Sequence, residues 1–142
     1  MGEQTSRYAI GEVSRVTGMS VHTLRWFERE GLIPIEIPRT SGGQRIFDED
    51  IVYWITLCTT LRNTGMPIAG IKAFADLVAA GPGNEHDRLA LLESHEQVVR
   101  DKIAGLEQSL TVIAAKSAIY RAHIEEGTAQ GVWDPIALRR RV

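Results

Sequence analysis

Residues 19–29 read MSVHTLRWFER, and the stretch 39–47, RTSGGQRIF, follows them across a short link bounded by Pro34 and Pro38. Ser20 is placed to cap a helix, because its hydroxyl can accept one of the four N–H groups that a helix start leaves without partners. Leu24 and Phe27 then form an inward pair at i, i+3, which leaves His22, Arg25, Trp26 and Arg29 on the open side. Gly31 closes that helix. Upstream, Ile10, Val13 and Val16 mark the inner stripe of a first short helix that Gly18 ends. Two short helices across a Gly-Met-Ser turn make a helix-turn-helix over 10–30, with the second helix as the groove reader.

From Leu32 to Phe47 the pattern changes. The two prolines exclude helix, while Ile35, Ile37 and Ile46 fit short strands of period two. Thr40-Ser41-Gly42-Gly43 is the turn of a small hairpin, so 32–47 is expected to be a wing beside the reader. Asp48 caps a third helix over 48–64, with Ile51, Ile55 and Leu61 at core spacing and Val52, Trp54 and Leu57 widening the face. Met66-Pro67 opens a fourth helix over 67–80, proline taking the first helical position and Ile68, Ile71, Phe74 and Leu77 facing inward. Together 1–80 read as one winged head, closed by the break Gly81-Pro82-Gly83.

The longest periodic segment is 84–126. Val99, Ile103, Leu106, Leu110, Ile113, Ser117, Tyr120 and Ile124 alternate spacings of four and three, the seam of a coiled coil. A helix of roughly 40 residues is about 60 Å long, and nothing else in the chain is long enough to cover such a seam. A second copy is the simplest partner, and the fold class is therefore mostly α: a winged helix-turn-helix head with a dimerisation helix. The remainder, 127–142, has little periodicity. Its Val132, Trp133 and Ile136 are candidates for packing on a partner, and Arg139–Arg141 form a basic end.

Composition bounds the function. The 142 residues carry a net charge of −2, and residues 1–80 hold eight Lys+Arg against nine Asp+Glu. Nucleic-acid binding must then depend on where the charges point. Arginine outnumbers lysine 13 to 3, which suits bidentate phosphate and guanine contacts and equally reflects a genome's base composition. The N-terminal MGEQTSRYAIGEV lacks the basic-then-apolar layout of a secretory signal, no apolar run approaches membrane-spanning length, and Cys58 has no disulfide partner. A cytoplasmic protein without a membrane partner is expected.

The order and wording of these motifs resemble the MerR family of bacterial transcription regulators. The matching text is YAIGEVSRVTGMSVHTLRWFEREGLI, then RTSGGQRIFDEDIVYWITLCTTLRNTGMPIAGI, then LLESHEQVVRDKIAGLEQSLTVIAAKSAIY, together about residues 8–126. The resemblance implies a homodimer whose long helices form an antiparallel coiled coil. Two heads would grip a pseudo-palindromic double-stranded promoter, bending and untwisting it so that RNA polymerase can engage both promoter elements. Carried over by position, Arg25 is the groove-reading arginine, with His22 and Arg29 beside it. Arg39 and Arg45 are wing arginines and Arg62 a third-helix arginine, all three expected at phosphates, and Gln44 is a wing-tip residue. Phe27 and Phe47 stand where the family usually carries tyrosines whose hydroxyls donate to phosphate, so that donor is missing here.

The resemblance also narrows the effector. Metal-sensing members place cysteines near the end of the dimer helix, and this chain has none after Cys58, so neither a metal nor another cofactor is expected. The four histidines have no ligand-like spacing. Only 16 residues follow the long helix, too few for an appended ligand-binding domain. What is left is an unnamed small molecule, sensed by Cys58 as a thiol or held near Trp133, with a buried inert cysteine as the plainer reading of Cys58. Two other classes compete. A dimeric helical module or anti-regulator that no longer grips DNA fits the balanced charge and the missing hydroxyls. An enzyme would need a phosphate loop, a metal cluster or a nucleophile–base pair, and no such motif is present.

Overall fold

Gly18 is where the first two helices part. In the computed structural model, which describes residues 6–133, α1 (Ile10–Thr17) ends at Gly18 with φ 78°, its N–H bonded to the Ser14 carbonyl. A residue with a Cβ would pay roughly 1–2 kcal/mol for that left-handed conformation. Two residues later Ser20 starts α2 (Val21–Arg29), its side chain accepting from the Thr23 N–H at 3.1 Å. Leu24 and Phe27 are buried. Val16, expected on the inner stripe of α1, is 62% exposed. At about 100° per residue it lies some 60° round from the fully buried Val13, on the flank opposite Ile10, and the core covers only the Val13–Ile10 side.

The wing is a hairpin with a single bridge. Arg39 faces Arg45, the Thr40 N–H reaches the Gln44 carbonyl at 2.8 Å, and the Ile46 N–H reaches Pro38 at 2.8 Å. The expected strands through Ile35 and Ile37 do not form, because Pro34 and Pro38 supply no N–H to extend a ladder. Instead Leu32, Ile33 and Ile37 turn into the core and Ile35 stays exposed. Gly43 takes φ 83° at the tip. The named strands lie elsewhere: β1 (Arg7–Tyr8) pairs antiparallel with β2 (Phe47–Asp48), Arg7 opposite Asp48 and Tyr8 opposite Phe47.

Asp48 caps α3 (Glu49–Asn63) by accepting from the Ile51 N–H at 2.9 Å. Ile51, Ile55, Cys58 and Leu61 form its buried line. α4 (Ile68–Ala79) begins one residue later than expected, with Pro67 as its cap at ψ 152°, still extended, its carbonyl accepting from Gly70 and Ile71. Trp54 ties three pieces together: its ring stacks on Phe74 of α4 at 5.3 Å and 4°, and its indole N–H donates to the Leu32 carbonyl at 2.8 Å.

α5 (Glu85–Glu126) follows a tightly bonded corner. Arg88 donates to Asn84 Oδ1 at 2.6 Å and to the Gly81 carbonyl at 2.7 Å, while Asn84 donates to the Leu77 carbonyl at 2.8 Å. The Gly83 N–H bonds the Glu85 carboxylate and holds its pKa below the ordinary value. The chain divides into two units, one up to Glu96 and one from Gln97. In the first, Leu91 and Leu92 of α5 pack on the core and Thr64 Oγ1 meets His95 Nε2 at 2.7 Å.

In the second unit the rest of α5 buries no residue. Ile103, Leu106, Leu110, Ile113 and Ile124 stand 50–70% exposed along the expected seam, with Tyr120 at its margin. Val99 is half-buried. Val98, Val112 and Ile119 are also exposed and apolar, at multiples of seven residues, a second stripe that the four-three spacing leaves out. After α5 a 3-10 turn at Ala129–Gly131 leads to Trp133, whose ring lies 4.6 Å from Lys116 Nζ. Ile136 and Arg139–Arg141 lie outside the described residues. Among the described residues no helix is long and apolar enough to cross a membrane.

Candidate nucleic-acid interface

His22, Arg25 and Arg29 recur at i, i+3 and i+7 on α2, opposite its buried Leu24–Phe27 side, and all three are exposed. Helical geometry therefore points an imidazole and two guanidinium groups away from the core on one short helix. Trp26 is half-buried and meets the edge of Phe27 at 5.7 Å and 71°, which makes it a packing residue in part. Phe27 and Phe47 are both buried, so the rings that lack a hydroxyl serve the core.

The wing arginines differ from the sequence expectation of two guanidiniums turned to phosphate. Glu28, on the flank of α2, takes both: Arg39 Nη2 donates to Glu28 Oε1 at 3.0 Å and Arg45 Nε to Glu28 Oε2 at 2.6 Å. Arg39 also donates through Nη1 to the Gly43 carbonyl at 3.1 Å. Arg39 thus engages both of its terminal nitrogens within the head, while Arg45 binds Glu28 through Nε. Glu28 is assigned no role in the sequence analysis. The signal that could have found it is an acid on an otherwise basic helix face, followed by two arginines across a tight turn. Gln44 is exposed beside the wing tip.

Arg62, near the end of α3, is exposed, with its guanidinium 5.9 Å from the Phe27 ring centroid. It lines an open cleft of about 290 Å³ with Gly18, Met19, Ser20, Thr23, Thr59 and Asn63. The cleft lies at the N-terminal end of α2, where the helix's partial positive charge and the Ser20 and Thr23 hydroxyls face the same opening as a guanidinium. Its chemistry suits an anion such as a backbone phosphate.

Cys58 is buried in the core, and loss of solvation pushes its thiol up to about 12, the opposite of the activated thiolate that electrophile sensing needs. Its burial accords with the plainer expectation for this residue. Trp133 is exposed and covers Lys116, which also sits 5.6 Å from the Tyr120 ring. His123 Nδ1 meets Thr128 Oγ1 at 2.7 Å. Among the described residues no group of three His, Cys, Asp or Glu side chains could hold a metal ion.

Residues 8–77 match the model of the MerR HTH family regulatory protein. An uncharacterized HTH-type transcriptional regulator of Haemophilus influenzae is 32% identical over 125 residues, which are 88% of this chain and 92% of that one. The chain belongs to the MerR family. Among solved MerR structures it resembles HiNmlR, a family regulator lacking the sensor domain and bound to promoter DNA. The identity there is 32% and the TM-score 0.79, over 92% of this chain and 98% of that chain. A MerR family transcriptional regulator from Bacillus thuringiensis is 33% identical with a TM-score of 0.71, over 81% of this chain and all of the other. The mostly helical fold, with the winged head and long C-terminal helix, is thus the MerR arrangement.

Proposed function

We propose that this MerR family regulator binds a pseudo-palindromic promoter site as a homodimer and controls transcription by distorting the duplex. The observation that carries the reading is the outward face of α2, where His22, Arg25 and Arg29 stand exposed together on the helix that the helix-turn-helix presents to a major groove. The likeness to a relative bound to promoter DNA supports it. Arg25 is assigned to base edges, Arg29 and His22 to flanking contacts, and Arg62 with its cleft to a phosphate. Gln44 and Arg45 are assigned to the backbone from the wing. The apolar seam Val99, Ile103, Leu106, Leu110, Ile113, Tyr120 and Ile124 is assigned to a second copy of α5 in an antiparallel coiled coil. A twofold pair of heads then matches a twofold site, and protein–DNA contacts offset the cost of bending it. The protein acts in the cytoplasm, on promoters read by RNA polymerase, and its role is regulatory rather than catalytic. Its effector is a small molecule whose site the exposed Trp133 region is assigned to.

A titration of the purified protein onto labelled DNA from beside its own gene, followed by fluorescence anisotropy, tests this. Binding should weaken steeply as salt rises from about 50 to 200 mM, because phosphate contacts release counterions. An intact dimer with no salt-dependent binding would instead favour the second reading, a helical interaction module that has stopped gripping DNA. The engagement of both wing arginines by Glu28 is the observation on that side.

A further inference from the structure

Among the described residues, Glu28 is the one acid whose carboxylate joins the recognition helix to the wing. Its Oε1 accepts from Arg39 and its Oε2 from Arg45, and the two arginines face each other across the hairpin's only bridge. Arg39 continues the chain of bonds to the Gly43 carbonyl at the turn. Both rungs beside the bridge are short, from Thr40 to Gln44 and from Ile46 to Pro38, and the prolines allow no further ladder. A hairpin with one bridge has little intrinsic stiffness. Beyond the buried Ile37 and Phe47 at its base, its tie to α2 is one carboxylate with charge-assisted bonds to both strands.

We propose that Glu28 is a positioning residue for DNA recognition: by holding both Arg39 and Arg45 it locks the wing against the reading helix. The inference rests on the DNA-binding reading above and adds to it a residue that does not touch DNA. An acid beside a DNA surface repels phosphate, so on charge alone its removal strengthens binding. Positioning has the opposite sign. Two unclamped strands must be ordered when DNA arrives, and that cost falls on the specific complex.

The test uses the full chain with Glu28→Gln, which removes the charge, and Glu28→Asp, which keeps it on an arm one methylene shorter. Two quantities are read: hydrogen exchange of the Thr40 and Ile46 amides without DNA, and affinity for the promoter duplex against a scrambled duplex. With Glu28→Gln, wing exchange should quicken about fivefold and specific affinity fall about five- to tenfold, the order expected for losing a paired, partly exposed carboxylate. Affinity for the scrambled duplex should hold or rise, so the specificity ratio drops. Glu28→Asp should leave scrambled binding unchanged and still lose specific affinity, a result that charge alone does not give. Tighter binding of both duplexes by Glu28→Gln, with wing exchange unaltered, would overturn the inference while leaving the DNA-binding reading intact. Failure of the unaltered protein to bind either duplex would overturn both.

Discussion

Truncating Leu110 to alanine should split the dimer. Leu110 is 63% exposed in the single chain, in the middle of the α5 seam. Burying a whole leucine side chain is worth up to about 3 kcal/mol, so covering the exposed two-thirds contributes roughly 2 kcal/mol per copy. A twofold dimer loses that contribution twice, about 4 kcal/mol, which raises the dimer Kd roughly a thousandfold. Alanine is the best helix former, and the helix itself therefore survives the change. Sedimentation equilibrium across the micromolar range reads the Kd, and far-ultraviolet circular dichroism checks that helix content is kept. Gln108→Ala, an exposed position off the seam, is the control and should leave the Kd unaltered. An unchanged Kd for Leu110→Ala would refute the assignment of this face to a second copy. So would an equal loss from Gln108→Ala. Promoter affinity should fall with dimerisation, because two linked heads bind far more tightly than one.

Arg25→Ala should cost about 1–3 kcal/mol at the promoter site, roughly five- to 150-fold, with much less change on scrambled DNA, as expected for a base contact. Equal losses on the two duplexes in an anisotropy titration would move Arg25 to the phosphates. Arg62→Ala should weaken both duplexes alike and make the slope of log affinity against log salt shallower by about one; an unchanged slope would leave its cleft without a phosphate. Cys58, with its thiol pushed up to about 12, should have about one thiol in ten thousand ionised at pH 8. Disulfide-reagent labelling of the folded protein should therefore be slow and quicken about tenfold per pH unit, whereas rapid stoichiometric labelling at pH 8 would restore a sensing role. The folded chain also keeps a proton that the unfolded thiol releases above its ordinary value of 9.0, so stability should fall as pH rises from there towards about 12. Cys58→Ala should flatten that decline in alkaline denaturation curves.

Local chemistry explains why most of the head was legible in the sequence. Ser20 and Asp48 cap the helices they precede, Gly18 takes the left-handed turn, and Leu24–Phe27 and Ile51–Ile55 keep helical period. Each of those decisions is made within four residues, so neighbouring side chains suffice to reveal it. Pro67 was misplaced by one position because proline suits both the cap and the first turn, and its ψ of 152° separates the two.

The sequence by itself determined which segments are helical, where they stop, and that α5 carries an apolar seam too long for this chain to cover. The tertiary structure decided what distant residues do to one another. It paired Tyr8 with Phe47, left Val16 outside the core, and brought Trp54 to the Leu32 carbonyl 22 residues away. It also placed Glu28 between Arg39 and Arg45, so that one carboxylate pairs with both wing arginines. Periodicity and caps are set by neighbours along the chain, whereas an ion pair between a helix and a hairpin exists only once the core has fixed the distance between them.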